Sequence, residues 1–311
     1  MHLRTIIVRG GLMAVAAMAL NSGSVTAVAA DQHSWSSSSS VSSSSHGGPM
    51  ADCSDLHMEF DGQKAIVRSE EKTLSRAEAP TLRVHAETNG GVQIQGWDKD
   101  SYSITTCKAA APPEGEAEGL FSQIHVSIQN GEVSASGPGR SGRRHEWSVF
   151  FLIRTPKGAT VDLDATNGPI SLYGMDGKLT ARATNGPISL KDFSGEADVN
   201  ATNGPISVSG SHGNLKIRTE NGPISVAVSE TSWSGAGLTA AAENGPVSLH
   251  VPSGFQSSFL VESRGHGPVS CSASICSEAR KTWDDDRKRI EFGSGAPVIH
   301  LSSYNGPVSV R

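Results

Sequence analysis

The sequence predicts an all-β chain folded as a parallel β-helix-like solenoid of about 18-residue coils, and three observations carry that expectation. A short motif recurs at fixed spacing. Apolar residues alternate with polar ones on either side of it. A proline follows the Asn-Gly pair in most copies. The motif is Asn167-Gly168-Pro169-Ile170-Ser171-Leu172, and it returns at Asn185, Asn203 and Asn221 with a spacing of 18 each time. It reappears at Asn244, at His266 with histidine in place of asparagine, and at Asn305. Weaker copies lie upstream, at Asn89-Gly90-Gly91-Val92 and at Asn130-Gly131-Glu132-Val133, the latter 37 residues before Asn167 and so two coils away.

Each unit contains two alternating runs. Ile170 and Leu172 flank Ser171, and a second run follows with Leu179, Ala181 and Ala183. Period-two alternation of this kind makes half-buried strands. The pattern repeats in Ile188 and Leu190 with Ala197, Val199 and Ala201, and again in Ile206 and Val208 with Leu215 and Ile217. A second glycine separates the two runs, at Gly177, Gly195 and Gly213, and marks the opposite turn. The longer spacings, 23 from Asn221 to Asn244 and 22 from Asn244 to His266, are insertions at that turn. The interval from His266 to Asn305 reads as a coil of 21 residues followed by one of 18, with Ile290, Phe292, Ile299 and Leu301 pointing inward.

The alternative is an antiparallel meander with a hairpin at every Asn-Gly. A type I′ hairpin needs the residue after Asn-Gly to donate its N–H back across the turn, and proline has none. Stacked coils suit the motif better. Asn and Gly tolerate a left-handed corner, and Asn167, Asn185, Asn203, Asn221, Asn244 and Asn305 come one above another as a side-chain ladder. One coil cannot stand alone, so stability must come from its neighbours. The chain ends in mid-pattern at Val308-Ser309-Val310-Arg311, which predicts an open final strand and, through it, a route to homo-oligomers.

Outside the repeats, residues 1–30 carry Arg4 and Arg9, an apolar stretch and a small-residue close at Val28-Ala29-Ala30, the pattern of a cleaved signal peptide. The apolar run is interrupted by Arg9, Gly10 and Gly11 and is too short to span a bilayer. Residues 31–51, nearly all serine from 34 to 45, read as a disordered spacer, and residues 52–311 as the repetitive domain. Removal of the signal leaves 24 basic side chains against 31 acidic, net −7, which disfavours nucleic acid as a partner. An exported chain with four cysteines is expected to form two disulfides. Of the three possible connectivities, Cys53–Cys107 and Cys271–Cys276 are the ones we expect. Export points to a periplasm or the cell surface.

The T-x-N-G-x-I-x repeat, the G-x-L-x-x-x-T half between copies, and the lead-in segment Phe150-Phe151-Leu152-Ile153-Arg154-Thr155-Pro156-Lys157-Gly158 resemble the bacterial putative-adhesin domain family, related to the head-GIN and toastrack domains. The resemblance runs over residues 82–311. It implies an exported or envelope-associated β-helical repeat protein, linked by analogy to adhesion or envelope stress, and says little about the ligand.

Candidate chemistry is sparse. Gly265-His266-Gly267 and Asp284-Asp285-Asp286 are similar to motifs of polygalacturonases, but their order is reversed and His266 falls where other copies carry asparagine. The aspartates are followed at once by Arg287, Lys288 and Arg289 and read as a solvated loop rather than a calcium site. No enzyme activity, cofactor or metal is expected. The surface expected to bind is the outward row Ser171, Ser189, Ser207, Ser225 and Ser248, continued by Ser270 and Ser309, a flat and uncharged face. The other sheet carries mixed charges outward, among them Lys178, Arg182, Asp198, Lys216, Arg218 and Glu220. The expected role is an adhesin-like or envelope interaction module, with a cell-surface or envelope protein or a glycan as partner. A structural, self-assembling envelope protein is the alternative, and a β-helix polysaccharide-degrading enzyme stands behind both.

Overall fold

A computed structural model describes residues 39–43, 48–60, 62–86, 90–111, 116–139, 147–265, 267–284 and 287–311. The signal segment, Asn89, His266, Asp285 and Asp286 lie outside these residues. The architecture is a two-sheet parallel solenoid, as the proline argument required, and not a meander.

Its regular middle is built from alternating long and short strands: β11 (Ala159–Asn167), β12 (Ile170–Tyr173), β13 (Asp176–Asn185), β14 (Ile188–Lys191), β15 (Ser194–Asn203), β16 (Ile206–Ser209), β17 (His212–Asn221), β18 (Ile224–Ala227), β19 (Ser234–Asn244) and β20 (Val247–His250). Long strands pair in parallel with long ones and short with short, in register, so that Leu179 meets Ala197 and Ile188 meets Ile206. The inward aliphatics of both sheets fill the space between them: Ile170, Leu172, Ile188, Leu190, Ile206, Val199 and Ile217 are buried. Equivalent positions therefore bury one another coil after coil, which is the source of the fold's stability.

The corner explains the motif. Gly186 donates its N–H to the carbonyl of Asn203, and Ile188 to that of Pro205, each at 3.0 Å. The ladder uses the N–H groups on either side of Pro187 and none at that position, so proline costs no bond there. The glycine is needed for a different reason than the one the sequence suggested. Gly204 (φ 152°) and Gly222 (φ 159°) have positive φ, but Gly168, Gly186, Gly245 and Gly306 do not. Instead, a Cβ on Gly186 would lie 2.2 Å from the carbonyl oxygen of Gly168, and one on Gly245 2.1 Å from that of Gly222. Consecutive corners are stacked too closely for any side chain.

Both ends depart from sequential stacking. Upstream lie β1 (Ser39–Ser43), β2 (Leu56–Phe60), β3 (Gln63–Lys64), β4 (Ile66–Ser75), β5 (Leu82–Ala86), β6 (Gly91–Trp97), β7 (Ser101–Ala110), α1 (Ala117–Gln123), β8 (His125–Gln129), β9 (Glu132–Ser136) and β10 (Trp147–Pro156). The coil β5/β6 stacks directly under β11/β12, with Val92 beside Ile170 and Val84 beside Leu163. Strands β9 and β10 then pair with the far sides of β5 and β6, so an early coil sits between two later ones. The described part of the first weak copy, Gly90-Gly91-Val92, is thus at a solenoid corner, with Gly90 against Gly168. The one at Asn130 is not. Asn130 (φ 51°) and Gly131 (φ 78°) form the tight hairpin between antiparallel β8 and β9, with Gln129 opposite Glu132. This copy has glutamate where the downstream copies have proline, so the N–H that a hairpin needs is present.

Downstream come β21 (Phe259–Ser263), β22 (Val269–Cys271), β23 (Arg280–Trp283), β24 (Lys288–Phe292), β25 (Ile299–Ser303) and β26 (Val308–Val310). The expected coil of 21 residues after His266 does not form. Asp284 and Arg287 exchange backbone hydrogen bonds across a turn, and β24 runs antiparallel to both of its neighbours, β23 and β21. Ile290 is buried and Phe292 stacks on Phe259 at 5.7 Å, as part of this cap. Ile299 and Leu301 do point inward on β25. The final coil is inserted: β25 lies between β19 and β21, and β26 between β20 and β22. The expectation of an open C-terminal edge, and of oligomers formed through it, is therefore overturned. Strand β26 is paired on both sides, with Val247 on one and Val269 on the other.

The ends are closed by different devices. Leu120, Phe121 and Ile124 of and beside α1 are buried at one end, where Arg68 pairs with Glu118 and lies 4.5 Å over the Phe121 ring. At the other, a short 3-10 turn at Ser274–Ser277 buries Ile275 and Cys276. Both expected disulfides are present. Cys53–Cys107 ties the N-terminal segment to β7, and Cys271–Cys276 ties β22 to the 3-10 turn. Around the first of them Met50, Leu56, Met58, Phe60, Phe150 and Leu152 form a second small core on the outside of the short-strand sheet. The segment expected as spacer over 31–51 differs in part: Ser39–Ser43 pairs as a strand with β2, and Met50 is buried.

Candidate binding surfaces

Two outward surfaces follow from this stacking. On the short-strand sheet, the register places Ser171, Ser189, Ser207, Ser225, Ser248, Ser309 and Ser270 in one continuous row, in that spatial order. Serine suits the row because a small hydroxyl fits half-buried positions only one strand spacing apart; Ser248 and Ser225 are within 3.3 Å through their Oγ atoms. One side of the row is bounded by the corner prolines. The other carries Tyr173, Lys191, Ser209, Ala227 and His250, so the face is flat but not wholly uncharged. Burial, followed by the nearby Arg311, holds the His250 imidazole below its ordinary pKa. The row stops at Gln93, the register neighbour of Ser171. Gln93 is buried and its amide holds both the N–H and the carbonyl of Met50, at 2.8 and 2.9 Å.

The asparagine ladder runs along the edge between the two sheets. Asn185 donates to Asn167, Asn203 to Asn185, Asn221 to Asn203, Asn244 to Asn221 and Asn305 to Asn244, each at 2.9–3.1 Å. Each of the four interior amides thus uses its oxygen toward one neighbour and its nitrogen toward the other, which fixes the side-chain orientations together. Its chemistry is structural.

The long-strand sheet is grooved. Its ladder skips one residue before each corner, pairing Ala183 with Ala201 and then Asn185 with Asn203, so the strands bend there. The bend opens a trough of about 590 Å3 with Arg182, Asn200, Arg218, Glu243, Arg264 and Tyr304 on its walls and small residues such as Ala201 and Ala242 on its floor. Tyr304 is 57% exposed. Of the outward charges expected on this sheet, Lys178 pairs with Glu196 at 3.1 Å, Arg182 with Asp164 at 3.7 Å, and Asp198 accepts from Asn200 at 2.6 Å.

Beyond the trough sits a group that sequence reading missed. Glu262 faces outward on β21 yet is 4% exposed, because Arg289 on β24, His300 on β25 and Arg264 close over it. Arg264 Nε lies 2.9 Å and His300 Nε2 3.1 Å from its Oε1. Burial pushes its carboxyl up, but the hydrogen bonds from Arg264 and His300 outweigh that, and its pKa lies below the ordinary value.

A second cavity of about 560 Å3 lies beside the N-terminal segment, and both of its glutamates have partners, Glu71 in Ser103 at 2.6 Å and Glu70 in Lys108 at 2.7 Å. Among the described residues no cluster of His, Cys, Asp and Glu could hold a metal, and no helix is long and apolar enough to cross a membrane.

No family model matches the sequence, and neither does any curated protein. Among solved structures, the chain is similar to a putative adhesin from Bacteroides fragilis (11% identity over 79% of this chain and 97% of that one, TM-score 0.38). It is also similar to a putative cell adhesion protein from Clostridium sporogenes (11%, 79% and 99%, TM-score 0.33) and to a putative lipid binding protein from Parabacteroides distasonis (10%, 79% and 96%, TM-score 0.26). Likeness at that level is too loose to carry a functional assignment.

Proposed function

We propose that the chain is an exported, non-enzymatic interaction module of the cell envelope, adhesin-like in the broad sense, that docks through the serine face. The observation that carries this reading is the unbroken in-register row from Ser171 to Ser270, on strands paired on both sides as far as the edge strand β22. A flat surface without a cleft suits a flat macromolecular partner, whereas small ligands are held in concavities. The partner is therefore an envelope protein. The two disulfides support folding in an oxidising compartment, in keeping with export.

The test is retention of the purified mature protein on envelope vesicles from its own cells. Ser207→Arg and Ser225→Arg together place two bulky charges at the centre of the row and should abolish retention while leaving the melting temperature within a few degrees. Protease treatment of the vesicles should have the same effect. Retention that survives both changes would refute docking through this face, and turnover of a glycan substrate by the purified protein would refute the non-enzymatic reading.

A further inference from the structure

The trough on the long-strand sheet lies opposite the serine face and stands independently of it. Three features set it apart. It is the concave part of an otherwise flat sheet, about 590 Å3 in volume. An aromatic ring, Tyr304, stands 57% exposed within it. Its remaining walls offer both donors and acceptors, from Arg218, Asn200, Thr202 and Glu243.

The backbone that carries the ring is held on both sides. Tyr304 donates its backbone N–H to Ala242 at 3.0 Å, Asn305 donates to Glu243 at 2.8 Å, and on the other side Arg264 donates to Ser303 at 2.9 Å. The backbone beneath the ring is thus pinned from both sides by the insertion of the last coil. Without that insertion the trough would lose its tyrosine and the wall beyond Glu243. On a fixed backbone a tyrosine has only two side-chain torsions to lose when a ligand packs on it.

Chemistry narrows the occupant. An extended peptide gains affinity by adding to a sheet edge, but the strands that floor the trough are paired on both sides and present no open edge. An anionic polymer needs a positive field. Here Arg182 is matched by Asp164 and Arg264 by Glu262, and among the described residues Arg218 has no carboxylate partner but shares the trough with Glu220 and Glu243. The lining is close to neutral. A neutral sugar ring has what remains: an apolar face to lie on tyrosine and hydroxyls that both donate and accept. We propose that this trough binds a neutral oligosaccharide, lying across the strands with one ring stacked on Tyr304 and hydroxyls on Arg218 and Glu243.

The test is calorimetric titration of the full-length mature protein with short soluble oligosaccharides of glucose and of N-acetylglucosamine, with oligogalacturonate as the anionic comparison. Saturable binding to a neutral series is expected. Tyr304→Ala should weaken it by about tenfold or more, while Tyr304→Phe, which keeps the stacking face, should stay within about twofold. Arg218→Ala should weaken it by about fivefold. Tyr304 and Arg218 are on the surface, so circular dichroism and melting should be unchanged in all three variants. The serine-face variant Ser207→Arg should bind as the parent does, which separates failure here from failure of protein docking. No saturable binding to either neutral series, binding indifferent to both Tyr304→Ala and Arg218→Ala, or binding to oligogalacturonate alone that disappears at high salt would each overturn the proposal.

Discussion

The corner glycine is the most demanding residue in this chain, and the reason lies between coils rather than within one. A Cβ at Gly186 would lie 2.2 Å from the carbonyl oxygen of Gly168, a contact that only backbone movement could relieve. Gly186→Ala is therefore expected to destabilise by about 3 kcal/mol or more, read as a lower urea midpoint. Asn203→Ala removes two exposed side-chain bonds from the ladder and should cost only about 1–2 kcal/mol in the same assay. Glu262 gives the pH prediction. Its carboxyl is depressed when folded, so its contribution is fully present above the unfolded carboxylate range and is lost as pH falls through the folded value. Glu262→Gln should destabilise by about 2 kcal/mol at neutral pH and flatten the loss of stability below about pH 4.5, in melts across a pH series. The asparagines were legible in the sequence because identical residues recur at fixed spacing. Glu262 was not, since an outward glutamate on a strand looks solvated until Arg289 and His300 arrive from distant parts of the chain.

At the level of elements, proline at the third motif position excludes the hairpin, and the two copies without it, Gly91 and Glu132, take one structure each. Pro187, Pro205 and Pro223 accompany stacked corners, while Glu132 in the same place accompanies a hairpin. Glu132→Pro should accordingly disrupt the β8–β9 hairpin and cost about 3 kcal/mol. The reasoning that rejected a meander was available from sequence and applied to Asn130 as well, where the missing proline was the overlooked signal. The two disulfides should differ in weight. Cys53–Cys107 spans 54 residues and Cys271–Cys276 only 5, so loop-closure entropy alone gives about 4 and about 2 kcal/mol. Cys53→Ala/Cys107→Ala should lower the urea midpoint more than Cys271→Ala/Cys276→Ala does.

Across the whole molecule, the layer is encoded more strongly than the order of layers. Val92 and Ile94 fit beneath Ile170 and Leu172, and Val247 and Leu249 fit beside Val308 and Val310, because every coil offers its neighbours the same apolar spacing. Periodicity fixes what a coil looks like and leaves open which coil lies next to it. That is why the inserted coils at both ends escaped sequence reading, together with the trough that the last of them completes. The stacking order can be read directly by cysteine cross-linking. Neighbouring parallel strands are about 4.8 Å apart, within disulfide reach, and strands two apart are about 10 Å apart and beyond it. Ser248 is beside Ser309, and Ser309 beside Ser270. Mild oxidation of the Ser248→Cys/Ser309→Cys variant should join the two cysteines, as mapped by mass spectrometry of proteolytic peptides, while Ser248→Cys/Ser270→Cys should stay unlinked. Efficient linkage of the second pair and none of the first would mean that the coils stack in chain order, and would contradict the inserted C-terminal coil on which the trough depends.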